Sequence, residues 1–253
     1  MNMHFMENYQ SYSHMGKTCA TRPIGDKRIV WPFIDETLLN GKFKGRMIGE
    51  NDFEKAAELW RSAYPEIFGS SSKYEWLLYP DQYKGRVALS EHWQEDKTGK
   101  DFCMPIIEDI SSGMLVAGAL YTKDDRNLHV EFSFGAIHPE YRKGASGEKL
   151  TVVVLDYLKL LEEKSGADYL SAFCETWHSI SQYLCLKVWG WKLAGIFPGQ
   201  YTRWCNGNNE YRGCTIHFYK LTGDAEKYTS QPEEWEMIPE VKKLWDVLTE
   251  INK

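Results

Sequence analysis

A chain of 253 residues can bury one substantial core with an appendage. Its net charge of −6, with no long block of like charge, argues against a nucleic-acid footprint, and no apolar run approaches the roughly 18 residues of a membrane span. The first residues, MNMHFMENYQ, lack the basic and apolar regions of a signal peptide, and six scattered cysteines with no Cys-x-x-Cys spacing suit a reduced, cytoplasmic protein.

Residues 1–43 show no period and read as an irregular N-terminal arm that wraps the domain. Lys44 to Ile48 is expected to be a short strand. Asn51 or Asp52 then caps a helix whose apolar positions are Phe53, Ala56, Ala57, Trp60 and Ala63, stopped by Pro65. The following segment carries Phe68, Tyr74, Trp76, Tyr79 and Tyr83, which suit either a pocket lining or the packing face of a short helix. Val87 to Glu95 has no decisive pattern, and Lys97 to Lys100 reads as a loop. Strands are expected at Phe102 to Ile110 and Met114 to Tyr121, joined by the turn Ser111-Ser112-Gly113.

Leu128 to Ile137 is apolar, aromatic and β-branched, interrupted by Glu131 and Ser133, and reads as a mostly buried strand ended by His138-Pro139. A short basic turn follows: Arg142, Lys143, Gly144, Ala145, Ser146 and Gly147. Leu150, Val153, Val154, Tyr157, Leu158 and Leu161 then repeat at helical spacing. The first turn of a helix has unpaired N–H groups and partial positive charge, and small residues let an anion approach them. With Arg142 and Lys143 beside it, this turn suits a phosphate or pyrophosphate. A plain strand-to-helix connection with solvated basic residues fits the spacing equally well.

Tyr169 to Cys174 is a buried strand, and a strand-helix-strand connection of this length implies parallel pairing with the strand before it. Thr176 to Ser181 starts a helix that Tyr183 to Trp189 continues as far as Gly190. Trp191 to Phe197 and Thr215 to Leu221 are strands, with Pro198 to Arg212 a polar loop between them. Thr222 to Pro239 form a charged linker, and Val241, Leu244, Trp245, Leu248 and Ile251 put an apolar stripe on a terminal helix. That stripe suits packing on the domain; its alternative is a homodimer contact.

The turn from Arg142 to Gly147 resembles the acyl-CoA pyrophosphate loop of the GNAT superfamily of N-acetyltransferases, Arg/Gln-x-x-Gly-x-Gly/Ala. Gly144 comes one place early, and Ala145 stands where glycine is usual. The run Glu131-Phe132-Ser133-Phe134-Gly135-Ala136-Ile137 is similar to the strand of the family's histone acetyltransferase branch. The segment His178-Ser179-Ile180-Ser181-Gln182 resembles a His-x-x-Ser-Gln helix start found in some bacterial members. The likeness spans residues 44–221, leaving the arm (1–43) and a C-terminal linker and helix (222–253) outside it.

The resemblance implies an α/β (α+β) domain with a mixed, mostly antiparallel central sheet flanked by helices. It implies acetyl or related acyl transfer from acetyl-CoA to an amine, first a small-molecule amine and second a peptide amine. Glu131 is then the expected base, with Tyr183 or His178 as acid, since the usual helix tyrosine is replaced by Leu186. Ala136, Ile137, Ser179 and Gln182 are expected along the pantetheine arm, and Arg142, Lys143, Gly144, Ala145, Ser146 and Gly147 at the pyrophosphate. A non-catalytic acyl-CoA-binding module is the rival reading. No metal is expected: Cys205, Cys214 and His217 lack a fourth partner and the usual pair spacing. A Gly-x-Ser-x-Gly elbow and a Gly-x-Gly-x-x-Gly turn are absent.

Overall fold

The computed structural model describes residues 20–22, 25, 28–67, 72–142, 145–205 and 209–253, without the side chains of 145–149, 151–155 and 203–205. The arm as far as residue 19, and Phe68, lie outside the described residues. One sheet organises the rest. Its strands are β1 (Thr37–Leu39), β2 (Phe43–Met47), β3 (Phe102–Cys103), β4 (Pro105–Asp109), β5 (Met114–Asp124), β6 (His129–Ile137), β7 (Tyr169–Glu175), β8 (Lys192–Cys205) and β9 (Asn209–Leu221). The order is β1-β2-β4-β5-β6-β7-β9-β8, with β3 pairing β5. Every pairing between these strands is antiparallel except β6 with β7, which is parallel and joined by helix α3 (Ala145–Lys164). That is the crossover geometry expected from the spacing.

Each face of the sheet buries its own apolar cluster. On one face lies α1 (Phe53–Ala63), which buries Ala56, Ala57, Leu59, Trp60 and Ala63 along one stripe. It approaches β5 so closely that a Cβ on Gly118 would lie 3.4 Å from the Leu59 side chain. Trp76, Leu77, Leu78 and Tyr83 join this cluster from the region of two short 3₁₀ turns, 75–78 and 80–82. On the other face α3 buries Leu150, Tyr157, Leu158 and Leu161. Ile29 and Trp31 of the N-terminal segment are buried there too. Trp31 Nε1 donates to the Lys100 carbonyl at 2.8 Å, and the Tyr157 hydroxyl donates to the Pro32 carbonyl at 3.1 Å.

The structure corrects the sequence reading in several places. The arm read as irregular carries a strand, β1 (Thr37–Leu39), which pairs β2. Residues 97–99 are the last turn of α2 (Trp93–Gly99) rather than loop, because buried Trp93 and Asp96 anchor that helix; Asp96 accepts from the Leu89 N–H at 3.0 Å. The described residues of 198–212 are strand, not loop: β8 and β9 stay paired as far as Cys205 and Asn209, with a register shift between Phe197 and Tyr201. Bulges absorb Pro198 and Gly199, which break the alternation that periodicity relies on. The helix expected over 176–189 is divided into α4 (Ser179–Tyr183) and a π-helical turn, Leu184–Val188, closed by Gly190 at φ +65°.

The terminal helix α5 (Pro239–Ile251) is tied down at one end. Asn252 accepts from the Leu193 N–H at 2.7 Å and donates to the Leu193 carbonyl at 3.0 Å. Leu248 is buried, whereas Val241, Leu244, Val247 and Ile251 are exposed. Among the described residues no helix is long and apolar enough to cross a membrane.

Candidate functional site

The parallel pairing of β6 and β7 runs only from His129↔Tyr169 to Phe132↔Ala172. Both strands continue, β6 to Ile137 and β7 to Glu175, each held by its outer neighbour. A wedge therefore opens between them. A bulge in β6 explains where it starts. Leu120 opposes Phe134 and Tyr121 opposes Phe132, so Ser133 is the extra residue. Such a bulge bends its strand and re-aims the side chains beyond it. Two β6 carbonyls past the bulge find partners outside the sheet: Gly135 accepts from the Tyr64 hydroxyl, and Ile137 from Arg142 Nε at 2.9 Å.

Glu131 stands at the root of this wedge, opposite Thr122 on one side and Ser171 on the other. Its side chain is about one-fifth exposed (22%), enough to meet a ligand while remaining partly desolvated. Oε1 accepts from the Ser133 hydroxyl at 3.0 Å and from the Tyr74 hydroxyl at 3.3 Å, with Lys73 Nζ at 4.0 Å. Ser133 also shares a 2.7 Å hydrogen bond with Thr122. Burial raises the Tyr74 phenol and the Glu131 anion raises it further, so Tyr74 stays a donor. Tyr74 stacks on Phe134 at 5.2 Å, and Phe134 in turn lies against Tyr64 at 4.5 Å and Trp60 at 5.5 Å.

Two imidazoles neighbour the carboxylate. His129, two residues before Glu131, makes a 2.6 Å hydrogen bond to Ser171. His217 stacks on Phe173 at 4.4 Å and lies 3.5 Å from the Tyr169 hydroxyl. Burial lowers both imidazoles below their ordinary value. Glu131 pulls each back up, while His129 lowers His217 further. Both therefore favour the neutral ring. Sequence alone does not bring Ser133, His129, Ser171 or His217 to this site, and offers Tyr74 only as one of several aromatics that suit a pocket lining. For His129 a signal exists, since it shares the period-two face of Glu131. Nothing local pairs Tyr74 with Glu131, 57 positions apart.

The remaining expected residues fall on β6, on the turn into α3 and at the start of α4. Ala136 is buried against the α1 cluster, and Ile137 is half-buried against the α3-side core. Arg142 is exposed and links two carbonyls, Ile137 and, at 3.0 Å, Ala63. Lys143 and Gly144 lie outside the described residues, and Ala145, Ser146 and Gly147 form the backbone of the first turn of α3. His178 Nδ1 meets the Ser181 hydroxyl at 3.1 Å at the start of α4. Gln182 Nε2 donates to the Glu175 carbonyl at 2.9 Å and so holds the end of β7. Ser179 is exposed, as is Tyr183. Leu186 is half-buried against the α3-side core. Among the described residues no three His, Cys, Asp or Glu side chains are grouped as metal ligands.

No family model and no curated protein matches the sequence. Solved structures match the fold. The ribosomal-protein-S5-alanine acetyltransferase from Vibrio fischeri aligns with a TM-score of 0.55 at 13% identity, covering 76% of this chain and 98% of its own. Mutant forms of the spermidine/spermine N-acetyltransferase from Vibrio cholerae align with a TM-score of 0.52 at 14% identity, covering 75% and 97%. A probable acetyltransferase aligns with a TM-score of 0.50 at 13% identity, covering 79% and 99%. At such identities the likeness speaks for architecture alone. The chain has the fold of these acetyltransferases.

Proposed function

We propose that this protein transfers an acetyl group from acetyl-CoA to an amine, with a small-molecule amine as the acceptor. The observation that carries the reading is the wedge between β6 and β7 with Glu131 at its root. Beyond Phe132 the β7 side of β6 has no strand partner, and a pantetheine arm lying there in the manner of an added strand would take the Gly135 and Ile137 carbonyls over from Tyr64 and Arg142. Ala136 and Ile137 lie on that stretch. The first turn of α3 and Arg142 follow β6 in the chain, where they suit the pyrophosphate. The fold neighbours include acetyltransferases named for a ribosomal-protein alanine and for spermidine and spermine, so the architecture is compatible with either amine class.

An amine reaches the site mainly as an ammonium ion and must lose a proton before it can attack. Glu131 is the carboxylate positioned for that step. Ser133 and Tyr74 fix its orientation, and the partly buried setting limits its hydration. The free amine then attacks the thioester carbonyl, and the tetrahedral adduct collapses by breaking the C–S bond. The departing thiolate takes a proton, for which Tyr183 and His178 are the candidates. The rival, a non-catalytic acyl-CoA-binding module, draws on Leu186 at the family's tyrosine position.

Calorimetric titration with acetyl-CoA tests the reading, beside Arg142→Ala and Gly147→Asp. Binding weakened in both variants, followed by thioester cleavage on addition of an amine, is the expected result. Absence of binding to any acyl-CoA overturns it, and binding without turnover across a broad amine panel favours the non-catalytic module.

A further inference from the structure

Two thiols meet where β7 packs against the turn after α4. The sulfurs of Cys174 and Cys185 are 3.5 Å apart, and the residues are 6% and 1% exposed. Two other described cysteines have different partners. Cys103 Sγ lies 2.8 Å from the Tyr157 hydroxyl, and Cys214 Sγ accepts from the Gly199 N–H at 3.2 Å.

The pair is asymmetric. The contact with Cys174 and burial both hold the proton on Cys185. The same contact favours the thiolate at Cys174, and the Ser181 hydroxyl nearby favours it too. Cys174 is also the more accessible of the two. Covalent closure brings the sulfurs about 1.5 Å nearer to reach a bond of roughly 2.0 Å. Cys185 sits in the π-helical turn Leu184–Val188, whose wider loop is closed by the Trp189 N–H donating to the Leu184 carbonyl at 2.8 Å. Gly190 follows it at φ +65°, with nothing within 4 Å of where a Cβ would stand.

We propose that Cys174 and Cys185 form an oxidisable dithiol, which a hydroperoxide converts to an intramolecular disulfide fastening the α4 segment to β7. The Cys174 thiolate attacks one peroxide oxygen. The O–O bond breaks, hydroxide leaves, and Cys174 becomes a sulfenic acid. The Cys185 sulfur then attacks the sulfenic sulfur; the S–S bond forms, the S–O bond breaks, and the departing hydroxide takes the Cys185 proton as water. Two thiols lose two electrons and two protons, and hydrogen peroxide is reduced to two waters. His178, Ser181 and Gln182 ride on the segment that this bond immobilises. The inference rests on the sulfur geometry and stands independently of acetyl transfer.

The test uses the full-length reduced protein, treated with hydrogen peroxide under native conditions, quenched with N-ethylmaleimide and mapped by peptide mass spectrometry. A Cys174–Cys185 linked peptide that dithiothreitol reverses is expected, with Cys103 still reduced. In Cys185→Ser, dimedone traps the Cys174 sulfenic acid; in Cys174→Ser, Cys185 stays reduced. Wild-type protein lacking the linked peptide overturns the proposal, as does oxidation of Cys185 without Cys174. The wild-type map needs no variant, so it decides the matter even where a substitution harms folding. Hydrogen exchange reads the fastening: amides 184–188 exchange roughly tenfold more slowly in the oxidised protein. Unchanged exchange overturns that part.

Discussion

Tyr74 donates to Glu131 Oε1 at 3.3 Å and stacks on Phe134 at 5.2 Å, two contacts that an unbroken β6 would place on opposite faces. Residues 131 and 134 differ by an odd number of positions, so regular alternation separates them. The extra residue at Ser133 restores them to one face: Phe132 packs on the α3 side, while Phe134 packs on the α1 side with Tyr74. One bulge thus gives the carboxylate its phenol partner and bends β6 at the point where its pairing with β7 ends.

Glu131→Gln tests the carboxylate directly. The amide keeps the shape and loses the basicity. Steady-state kinetics are expected to show a loss of about 10²–10⁴-fold in amine acetylation. Acetyl-CoA affinity is expected to stay within about twofold of wild type, because binding the thioester does not call on the base. An unchanged turnover number removes Glu131 from the mechanism.

The two imidazoles give a pH prediction. Both fall below the ordinary value of 6.5, so each binds its proton less readily folded than unfolded. Between the folded and unfolded values the unfolded chain holds more protons, and unfolding free energy therefore rises with pH. Stability is expected to decline as pH falls below about 6.5, the free-imidazole value. NMR titration should place both rings below 6.5. Replacing His129 by Asn should raise His217, since the neighbouring charge is removed; no change in His217 sinks the coupling.

Arg46 holds the opening of α1. Its guanidinium grips Asp52 with two bonds, 2.6 and 2.8 Å, and reaches Glu108 at 2.7 Å. Burial would raise the Asp52 carboxyl, but Arg46 and the Gly49 N–H outweigh it and hold it below the ordinary range. A depressed folded value means that this stabilisation is present above the unfolded value and lost as pH falls through the folded one. Asp52→Asn is expected to cost about 3 kcal/mol in urea unfolding at neutral pH, and less in acid. Equal cost at both pH values contradicts the ion-pair account.

Tyr157 ties the N-terminal segment to α3. Its buried hydroxyl touches the Cys103 sulfur and donates to the Pro32 carbonyl. Tyr157→Phe leaves that carbonyl short of a donor and is expected to cost about 1–3 kcal/mol. Hydrogen exchange should also show faster opening at Val30 and Trp31, whose N–H groups bond to the Ser165 and Lys97 carbonyls. Protection unchanged at those two amides excludes the tether.

The sequence by itself determined the element types of the central unit: an apolar strand through Glu131, a short turn, a helix repeating Leu150, Tyr157, Leu158 and Leu161, and a following strand. These are local signals, written in side-chain period and in the length of the crossover, so they survive without knowledge of the fold. The hairpin through 198–212 was not legible because its bulges break the period, and α2 was not because tertiary burial of Trp93 and Asp96 stabilises a helix that is too short to announce itself. Only tertiary structure decided the site's wiring. Tyr74 meets Glu131 across 57 positions, His217 comes within the electrostatic reach of His129 from β9, and Cys174 finds Cys185 through the packing of a π-helical turn. Each is a contact between elements. The chain's periodicity says which side chains face inward, while sheet order and register decide which of them face one another.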